Sequence, residues 1–290
     1  AGATGNIGSF LYTKLKSLVS VDSIFFGNSI IDSDFTNIDF SDIDKVKNHF
    51  KNYGYFDALI FFVGLAHSKG KNKDISTFNI INYQTLVNLL SVLSENGIIP
   101  GKIIFASSIS VYGEKLDQSI YREDSIMKPK SPYAITKLRA EEFLINNYCK
   151  QSWILRFAPV YSENFNLNIK RRVKIGCWFY RVGKGSKRLS LCSLENIEHL
   201  IKGILEDKVP AGVYNVSDKK IYTYNDLLIY LKGKWFIPIP IIIIKVVYYF
   251  GRLINNIFLE ENSIKLTSDN IFPSDKLRRH IVLPTSLDAD

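Results

Sequence analysis

Cysteine, histidine and methionine are scarce in this sequence of 290 residues, which contains three cysteines, four histidines and one methionine. Cys149, Cys177 and Cys192 form an odd, scattered set without the spacing of a metal site or a redox pair. The set therefore predicts neither a zinc site nor a disulfide framework, and we expect no metal ligand set. It favours a reducing compartment, the cytoplasm.

Long hydrophobic runs are also few. The most apolar stretch, residues 235–250, is short for a membrane span and is interrupted by Pro238, Pro240 and Lys245. We interpret it as a turn that enters a largely buried helix, with a peripheral membrane contact as the alternative. The sequence shows no secretory signal pattern, internal repeat or low-complexity linker.

Charge of one sign is in excess. The apolar fraction of 46% and the charged fraction of 22% are typical of a soluble globular protein, whereas the formal net charge is +9. The lysines are spread along the chain without a recognised nucleic-acid motif, so nucleic acid is not an expected partner. Small anionic ligands would benefit from the positive field.

The stretch from 131 to 148, SPYAITKLRAEEFLINNY, organises the rest of the chain. Ser131 suits an N-cap and Pro132 the first helical position. Tyr133 and Lys137 are four residues apart, which places them on one helix face. A cation near a phenol is expected to lower its pKa from about 10, so that Tyr133 could exchange a proton with a substrate. The alternative is an ordinary Tyr at the edge of the core beside a solvated Lys.

A second stretch lies upstream, at residues 102–113, KIIFASSISVYG. The apolar run over residues 103–106 predicts a buried parallel strand, with Ser107 and Ser108 at its carboxyl end. Ligands of open α/β sheets collect at such ends. A serine hydroxyl there could hold the substrate oxygen on which Tyr133 acts.

Together, SSISVYG and SPYAITK resemble the Ser and Tyr-x-x-x-Lys signature of the extended short-chain dehydrogenases/reductases, the superfamily of NAD-dependent nucleotide-sugar epimerases, dehydratases and reductases. The resemblance covers nearly the whole chain. It implies that Ser108, Tyr133 and Lys137 are catalytic. It also implies that Ser110 contacts the substrate, and that Ala106 and Ser107 contact the cofactor through their backbone.

The chain begins with a glycine-rich turn, AGATGNIG, in which Gly2, Gly5 and Gly8 are three residues apart and a helix over residues 10–19 follows. Glycines at such a turn let backbone amides approach a pyrophosphate at the helix N-terminus. The resemblance adds Asn6 and Ile7 to these contacts. In the family a strand precedes the turn, so we expect that roughly ten N-terminal residues are missing from this sequence.

The resemblance implies further cofactor contacts. Residues 23–26 predict a second strand, and Asn28 after it favours neither NAD nor NADP. For Asp39 two interpretations stay open: the family places such an acid beside the adenine, and an ordinary acidic loop residue fits the sequence equally well. The remaining contacts implied in this way are at Phe40, Phe62, Val63, Gly64, Asn82 and Val160.

On the substrate side, the resemblance points to two basic positions. His67 lies with the basic loop 69–73 after the strand predicted over residues 57–63, although a single histidine on a loop is usually just solvated. Arg188 matches an arginine that commonly meets the diphosphate of a nucleotide sugar.

These patterns predict an α/β fold: a Rossmann-like doubly wound parallel sheet with a smaller α/β lobe that caps the substrate. We assign residues 1–158, with a return at 189–217, to the dinucleotide-binding domain. Residues 159–188 and 218–290 are assigned to the substrate-binding lobe. The two lobes are therefore expected to be interleaved in sequence.

The expected function is that of a NAD-dependent nucleotide-sugar 4-epimerase, acting on an NDP-hexose or NDP-N-acetylhexosamine through a transient 4-keto sugar. The first alternative is an NAD(P)H-dependent 4-keto reductase of surface-polysaccharide (O-antigen) biosynthesis, which residues 193–196 and 237–240 resemble. A dehydratase is less favoured, because Ser107, Ser108 and Ile109 stand where that branch has Thr-Asp-Glu. The alternative of another class is a non-catalytic dinucleotide-binding regulator, and homodimerisation is expected only by analogy.

Overall fold

The structure of the protein is a computed structural model that describes residues 1–16, 25–26, 35–65, 74–113 and 115–287. The chain divides into two compact units, each built from three segments. The first unit comprises Ala1–Val111, Ser131–Arg156 and Lys202–Val213. The second unit comprises Tyr112–Lys130, Phe157–Ile201 and Tyr214–Asp290.

Both units are discontinuous in sequence, and their boundaries differ in four places from those assigned above. Residues 112–130, 157–158, 189–201 and 214–217 belong to the second unit. For the first of these segments the reason lies in aromatic packing, since the rings of Tyr112 and Tyr121 stack on Phe272 at centroid distances of 5.9 and 5.2 Å. The roles of the two lobes stay predictions.

The helices and strands are short to moderate in length. The helices are α1 (Asn6–Leu15), α2 (Ile43–Phe50), α3 (Ile75–Asn79), α4 (Thr85–Glu95), α5 (Pro132–Tyr148), α6 (Leu167–Val173), α7 (Leu194–Leu205), α8 (Tyr224–Tyr230), α9 (Ile241–Leu253), α10 (Ile257–Thr267) and α11 (Asp275–Arg278). The strands are β1 (Phe25–Phe26), β2 (Phe35–Thr36), β3 (Ala58–Phe61), β4 (Lys102–Ser108), β5 (Ser152–Phe157), β6 (Val160–Tyr161), β7 (Lys174–Ile175), β8 (Trp178–Val182), β9 (Arg188–Leu189), β10 (Cys192–Ser193), β11 (Gly212–Val216), β12 (Tyr222–Thr223) and β13 (Ile237–Ile239).

A parallel sheet carries the first unit. Its strand order is β11-β5-β4-β3, and β3 and β4 run parallel with Ala58 opposite Lys102 and Phe61 opposite Phe105. Ala1 lies along β3, where its carbonyl accepts a hydrogen bond from the amide of Phe62 at 2.9 Å. β4 and β5 are buried over most of their length, as their apolar runs predict. The Rossmann-like α/β class expected from the sequence is confirmed.

Helices cover this sheet with apolar side chains. α4 contributes a fully buried ridge, and α2 begins where the carboxylate of Asp42 accepts from the amides of Asp44 and Lys45 at 3.1 and 3.2 Å. The central side chains of this core are Val46, Phe50, Phe61, Leu86, Leu89, Leu90, Leu93, Phe105 and Leu144.

The second unit has a separate core, built around a buried carboxylate. Asp218 accepts hydrogen bonds from the hydroxyls of Tyr161 and Tyr222 at 2.8 and 2.9 Å. The amide of Ser193 and the Nδ2 of Asn196 also donate to it, at 2.9 and 2.8 Å. Burial raises the pKa of Asp218, although these hydrogen bonds oppose that shift.

The apolar stretch before and within α9 does not form a largely buried helix, and that prediction is wrong. Gly251 is the one buried residue of α9. The helix packs against α10 instead of entering the core, and a Cβ at Gly251 would lie only 2.9 Å from the Cβ of Leu259. Among the residues that the structure describes, no helix combines the length and apolar character needed to cross a membrane.

Candidate active site

Helix α5 presents the two residues that the sequence places on one face. Ser131 is the N-cap residue, in extended conformation and buried, and Pro132 occupies the first turn. The side chain of Ser131 makes no capping hydrogen bond. Pro132 suits the start of the helix, because a proline lacks the amide hydrogen that would need an acceptor there. Tyr133 is half-buried and Lys137 only 3% exposed.

Ser108, at the end of β4, meets Tyr133. Their side chains are hydrogen-bonded to each other, and the Ser108 hydroxyl also accepts from the amide of Ser110 at 3.2 Å. The Oγ atoms of Ser108 and Ser110 are 3.2 Å apart. The structure therefore brings together the serine and tyrosine that the two sequence stretches predicted, with Ser110 beside them.

Lys137 is held near the end of the same strand, β4. Its Nζ donates to the carbonyl of Ala106 at 2.8 Å and lies 4.7 Å from the ring centroid of Phe105. Burial lowers the pKa of Lys137 to about 8, and the carboxylate of Glu141 counteracts part of that shift. The ammonium therefore titrates close to neutral pH, which suits a group that supports proton transfer.

The expected effect of Lys137 on Tyr133 is not found. In the protein alone, burial raises the pKa of the Tyr133 phenol, and the hydrogen bond with Ser108 opposes the shift. The prediction that the pKa of Tyr133 is lowered is therefore wrong. The physical reason is that removing a phenolate from water costs more than its neighbours return, and the ammonium of Lys137 is directed to Ala106.

A buried ion pair lies behind Lys137. Glu141, one turn further along α5, receives the guanidinium of Arg156 from β5, with Nη2 2.7 Å from Oε2. The hydroxyl of Ser107 donates to the other carboxylate oxygen, Oε1. Ser107, predicted only as a backbone contact, thus links the end of β4 to this pair.

Asn82 connects two of these elements from a π-helical turn. Residues Ile80–Gln84 form that turn between α3 and α4. The Oδ1 of Asn82 accepts from the amide of Leu65 at 2.6 Å, and its Nδ2 donates to the hydroxyl of Thr136 at 3.2 Å. Asn82 is fully buried and ties the chain after β3 to the residue that precedes Lys137. A π-turn often marks a functional position.

The glycine turn has the local geometry of a phosphate-binding loop. Gly2 has a φ of +84°, and a Cβ there would lie 2.6 Å from the carbonyl carbon of Phe62. A Cβ on Gly8 would overlap the carbonyl of Gly2, whereas one on Gly5 would meet only that oxygen, at 3.4 Å. Gly2 thus permits a tight turn, Gly8 permits close packing of the helix, and Gly5 leaves room for a ligand to approach the backbone.

The helix that follows begins without a side-chain cap. α1 begins at Asn6 with Gly5 as N-cap, and the amides of a first helical turn, here including that of Ile7, have no acceptor within the helix itself. The predicted start at residue 10 is four residues too late. A helix N-terminus in this state favours an anion, so the residues present fit a dinucleotide pyrophosphate.

Gly64 lies next to the lysine and the asparagine. A Cβ at this position would lie 3.1 Å from the Nζ of Lys137 and 3.4 Å from the Oδ1 of Asn82. Phe62 and Val63 precede it in the segment that runs past the glycine turn. The structure thus gathers Gly2, Gly64, Asn82 and Lys137 at the carboxyl ends of β3 and β4, where the sequence predicts a cofactor.

Asp39 and Phe40 have separate roles. The carboxylate of Asp39 accepts from the amide of Ser41 at 2.9 Å and from its hydroxyl, and these bonds lower the pKa of the carboxyl group. The ring of Phe40 is buried in the first core, 6.5 Å from that of Phe61. A cofactor contact at Phe40 could therefore come only from its backbone.

Two predicted residues belong to the second unit. Val160 is buried in β6. Arg188 pairs with Asp269, with its Nε and its amide 2.8 and 2.9 Å from the two carboxylate oxygens, and its side chain is 54% exposed. The contact of Arg188 with a diphosphate stays a prediction. Asn28, His67 and the basic loop 69–73 lie outside the described residues.

The sequence reasoning missed Glu141, Arg156 and Thr136. A signal was available for the first two. Glu141 follows Lys137 by four residues and so shares its helix face, and Arg156 is a charged residue in the otherwise apolar strand SWILRF. A buried charge requires a partner, and pairing these two would have satisfied that need. Thr136 carries no comparable signal. In the described part of the chain no cluster of metal-ligating side chains occurs.

The chain matches the family described as the NAD dependent epimerase/dehydratase family over residues 1–197. Among curated proteins, it is similar to a GDP-6-deoxy-D-mannose reductase from Pseudomonas aeruginosa, with 24% identity over 179 residues. That match covers 61% of this chain and 53% of the reductase, so it spans about half the length of this curated relative.

Solved structures share the fold. A UDP-glucuronic acid 4-epimerase from Bacillus cereus, crystallised with NAD, is 20% identical with a TM-score of 0.69, over 98% of this chain and 92% of its own. The Bordetella bronchiseptica enzyme WbmG, in complex with NAD and UDP, is 15% identical with a TM-score of 0.72, over 99% and 89% of the two chains. At these identities the likeness shows the fold alone.

Proposed function

Because the chain belongs to the NAD-dependent epimerase/dehydratase family, a family of enzymes, we propose that it is a NAD-dependent nucleotide-sugar 4-epimerase. Its substrate would be an NDP-hexose or an NDP-N-acetylhexosamine. The observation that carries the proposal is the hydrogen bond between Ser108, at the end of β4, and Tyr133 of α5. Lys137 is held at the same end of β4 by the carbonyl of Ala106.

Each of these residues has a defined task. NAD, when bound, supplies the acceptor and donor of a hydride. As a phenolate, Tyr133 takes the proton of the sugar 4-hydroxyl, and it returns that proton when the 4-keto sugar is reduced on its other face. The hydroxyl of Ser108 would hydrogen-bond to the same sugar oxygen. Lys137 would stabilise the Tyr133 phenolate through its positive charge.

The protein's own groups support this division of labour. Burial alone keeps Tyr133 protonated, so a nearby positive charge is required before the phenol can act as a base. Lys137 supplies one positive charge at the end of β4, and the oxidised nicotinamide of bound NAD would supply a second. Gly2, Gly8 and the first turn of α1 would hold the pyrophosphate, while Asn82 would fix Leu65 in the segment after β3.

A second candidate uses the same residues in one direction. The match to a GDP-6-deoxy-D-mannose reductase favours a reductase. The reaction would be the NAD(P)H-dependent reduction of a 4-keto nucleotide sugar in surface-polysaccharide biosynthesis, whose enzymes residues 193–196 and 237–240 resemble. Tyr133 would then donate its proton to the 4-keto oxygen. For either reaction we propose a cytoplasmic enzyme and a homodimer, the first from the scattered cysteines and the second by analogy.

Two other functions have less support. A dehydratase requires an additional acid and base, but Ser108 and Ile109 occupy the corresponding positions. A non-catalytic dinucleotide-binding regulator has no need of Tyr133, which is nevertheless present and hydrogen-bonded to Ser108.

One portion of the purified protein should be denatured and any released nicotinamide cofactor identified by mass. A second, native portion should be incubated separately with UDP-glucose, UDP-galactose and their N-acetylated forms, and the products followed by NMR. Stoichiometric bound NAD and interconversion at C4 support the epimerase. A protein that purifies without cofactor and oxidises NADPH with a 4-keto sugar nucleotide instead supports the reductase.

A Tyr133→Phe variant tests the residue assignment in both cases. It should lose about 10²–10⁴-fold in kcat while it still binds the cofactor. Tyr55→Phe, the same substitution at a tyrosine that is 64% exposed in the first unit, is the control and should keep its activity. If Tyr133→Phe turns over at the rate of the unmodified protein, neither reaction is catalysed through Tyr133. A protein that binds NAD but shows no turnover with any of these substrates, with or without the substitution, would instead favour the regulator.

A further inference from the structure

Helix α9 is the most unusual surface feature of the second unit. Its sequence is IIIIKVVYYFGRL, and only Gly251 is buried. A helix that is apolar on most of its circumference is normally enclosed by protein or in contact with lipid. In this structure most of its large side chains are open to solvent.

The exposed side chains of α9 form a continuous stripe. Ile242, Val246, Tyr249 and Leu253 follow one another at intervals of four, three and four residues, so they lie on one face of the helix. They are 65, 61, 63 and 80% exposed, respectively. We call these four residues the apolar stripe. They lie opposite Gly251, which is on the face that packs on α10, and no part of the chain that the structure describes covers them.

The neighbouring segments have the same character. Trp235, shortly before α9, is 89% exposed, and Phe258, at the start of α10, is 64% exposed. Exposed aromatic rings of this kind are favoured at the boundary between lipid headgroups and acyl chains.

The charges around the stripe have one sign. Residues 227–259 contain Lys232, Lys234, Lys245 and Arg252 but no aspartate or glutamate, and all four cations are exposed. The acids that bound this segment are already engaged. Asp226 bonds to Thr223 in the cap of α8, and Glu260 forms an ion pair with Lys130.

We propose that α9 lies in the plane of an anionic lipid bilayer, with the apolar stripe inserted and Lys245 and Arg252 at the headgroups. An apolar helix face flanked only by cations is the pattern of an interfacial amphipathic helix. α9 has 13 residues, a length of about 20 Å, which suits a position on the bilayer surface and not across it.

Charge decides between lipid and a second copy of this chain. A two-fold dimer through the stripe would bring the same cations of both copies together, and the segment offers no carboxylate to pair with them. Anionic headgroups would satisfy these cations instead. The inference does not depend on the reaction that the first unit catalyses.

Co-sedimentation with vesicles tests this proposal. The full chain should sediment with vesicles of phosphatidylcholine and phosphatidylglycerol, should stay in solution with phosphatidylcholine alone, and should be released by high salt. Val246→Glu, in the stripe, should abolish the binding. Val282→Glu is the matched control, because Val282 is also exposed, at 72%, in the same unit but outside the stripe.

Leu253→Glu, at the most exposed position of the stripe, is a second variant if Val246→Glu does not fold, as judged by circular dichroism. Equal binding of the stripe variants and of Val282→Glu would overturn the proposal. So would a protein that ignores both vesicles. If that protein is a dimer by light scattering and Val246→Glu makes it a monomer, the stripe is covered by a second copy.

Discussion

Arg156 and Glu141 form a salt bridge that is almost completely removed from solvent. The Nη2 of Arg156 lies 2.7 Å from the Oε2 of Glu141, and the two side chains are 2 and 0% exposed. The Nε of Arg156 adds a contact of 3.1 Å to each carboxylate oxygen. The pair joins β5 to α5 directly behind Lys137, so it supports both the core of the first unit and the charge at the proposed active site.

Removing one partner of this pair should strongly destabilise the protein. Arg156→Met leaves the Glu141 carboxylate buried without its ion-pair partner, which we expect to lower the free energy of unfolding by about 3–5 kcal/mol. Urea denaturation followed by circular dichroism measures this loss. The double variant with Glu141→Met should be less destabilised than Arg156→Met alone, because no charge is then left unpaired.

The control for Arg156→Met is the same substitution in an exposed pair. Arg122 and Asp275 lie 3.0 Å apart with side chains 56 and 54% exposed, so Arg122→Met should cost roughly 0–1 kcal/mol. Similar losses for Arg156→Met and Arg122→Met would show that burial does not determine the strength of the Glu141 pair.

The alkaline limit of activity should report Lys137. Its ammonium has a pKa of about 8, and the positive charge is present below that pH and lost above it. kcat/KM should therefore fall as the pH rises through about 8, because the neutral amine no longer stabilises the Tyr133 phenolate.

Glu141→Gln should move that limit to lower pH. The Glu141 carboxylate raises the pKa of Lys137 against the effect of burial, and glutamine removes this contribution. The pH profile should be measured at a temperature at which circular dichroism shows the variant folded. Glu142→Gln, with the same charge change on an exposed neighbouring residue, should keep the limit of the unmodified protein. Identical shifts in both variants would contradict a local effect.

Asn82→Ala should weaken cofactor binding as well as stability. It removes the hydrogen bonds that hold Leu65 and Thr136, so the chain after β3 loses its attachment beside Lys137. Each buried group left unpaired costs about 1–3 kcal/mol. Titration with NAD should show a raised Kd. Asn147→Ala, which loses one exposed bond within α5, should bind NAD normally, and an unaltered Kd for Asn82→Ala would refute the positioning role.

Gly8→Ala should disrupt the glycine turn. The added methyl group would overlap the Gly2 carbonyl, so the turn or α1 must shift. We expect less NAD in the purified protein and a lower Tm. Gly54→Ala is the control, since its methyl group meets no atom within 4 Å. A Gly8→Ala protein with full cofactor content would show that the turn does not hold the pyrophosphate.

Local patterns in the sequence were sufficient for several elements of the site. The apolar run of β4, the Ser-Pro start of α5 and the glycine spacing each depend on neighbours within a few residues, and the structure confirms all three. The spacing of Tyr133 and Lys137 also predicted a shared helix face. These features follow from backbone geometry and from side-chain periodicity, which act over short distances along the chain.

Other properties depend on residues that are far apart in sequence. The pKa of Tyr133 is raised because the folded chain buries the phenol, and Asn82 reaches Thr136 across 54 positions. The burial of Arg156 against Glu141 likewise requires β5 and α5 to be packed together. None of these contacts can be read from local periodicity, since each is formed only when separate elements meet.

Helix α9 shows the same division from the opposite direction. The sequence alone determined that residues 241–253 are apolar and helical, because composition and the preceding prolines act locally. Only the tertiary structure decided which residues cover that helix, and it left the apolar stripe exposed. Burial is a property of the packed chain, because it depends on the surface that other elements supply.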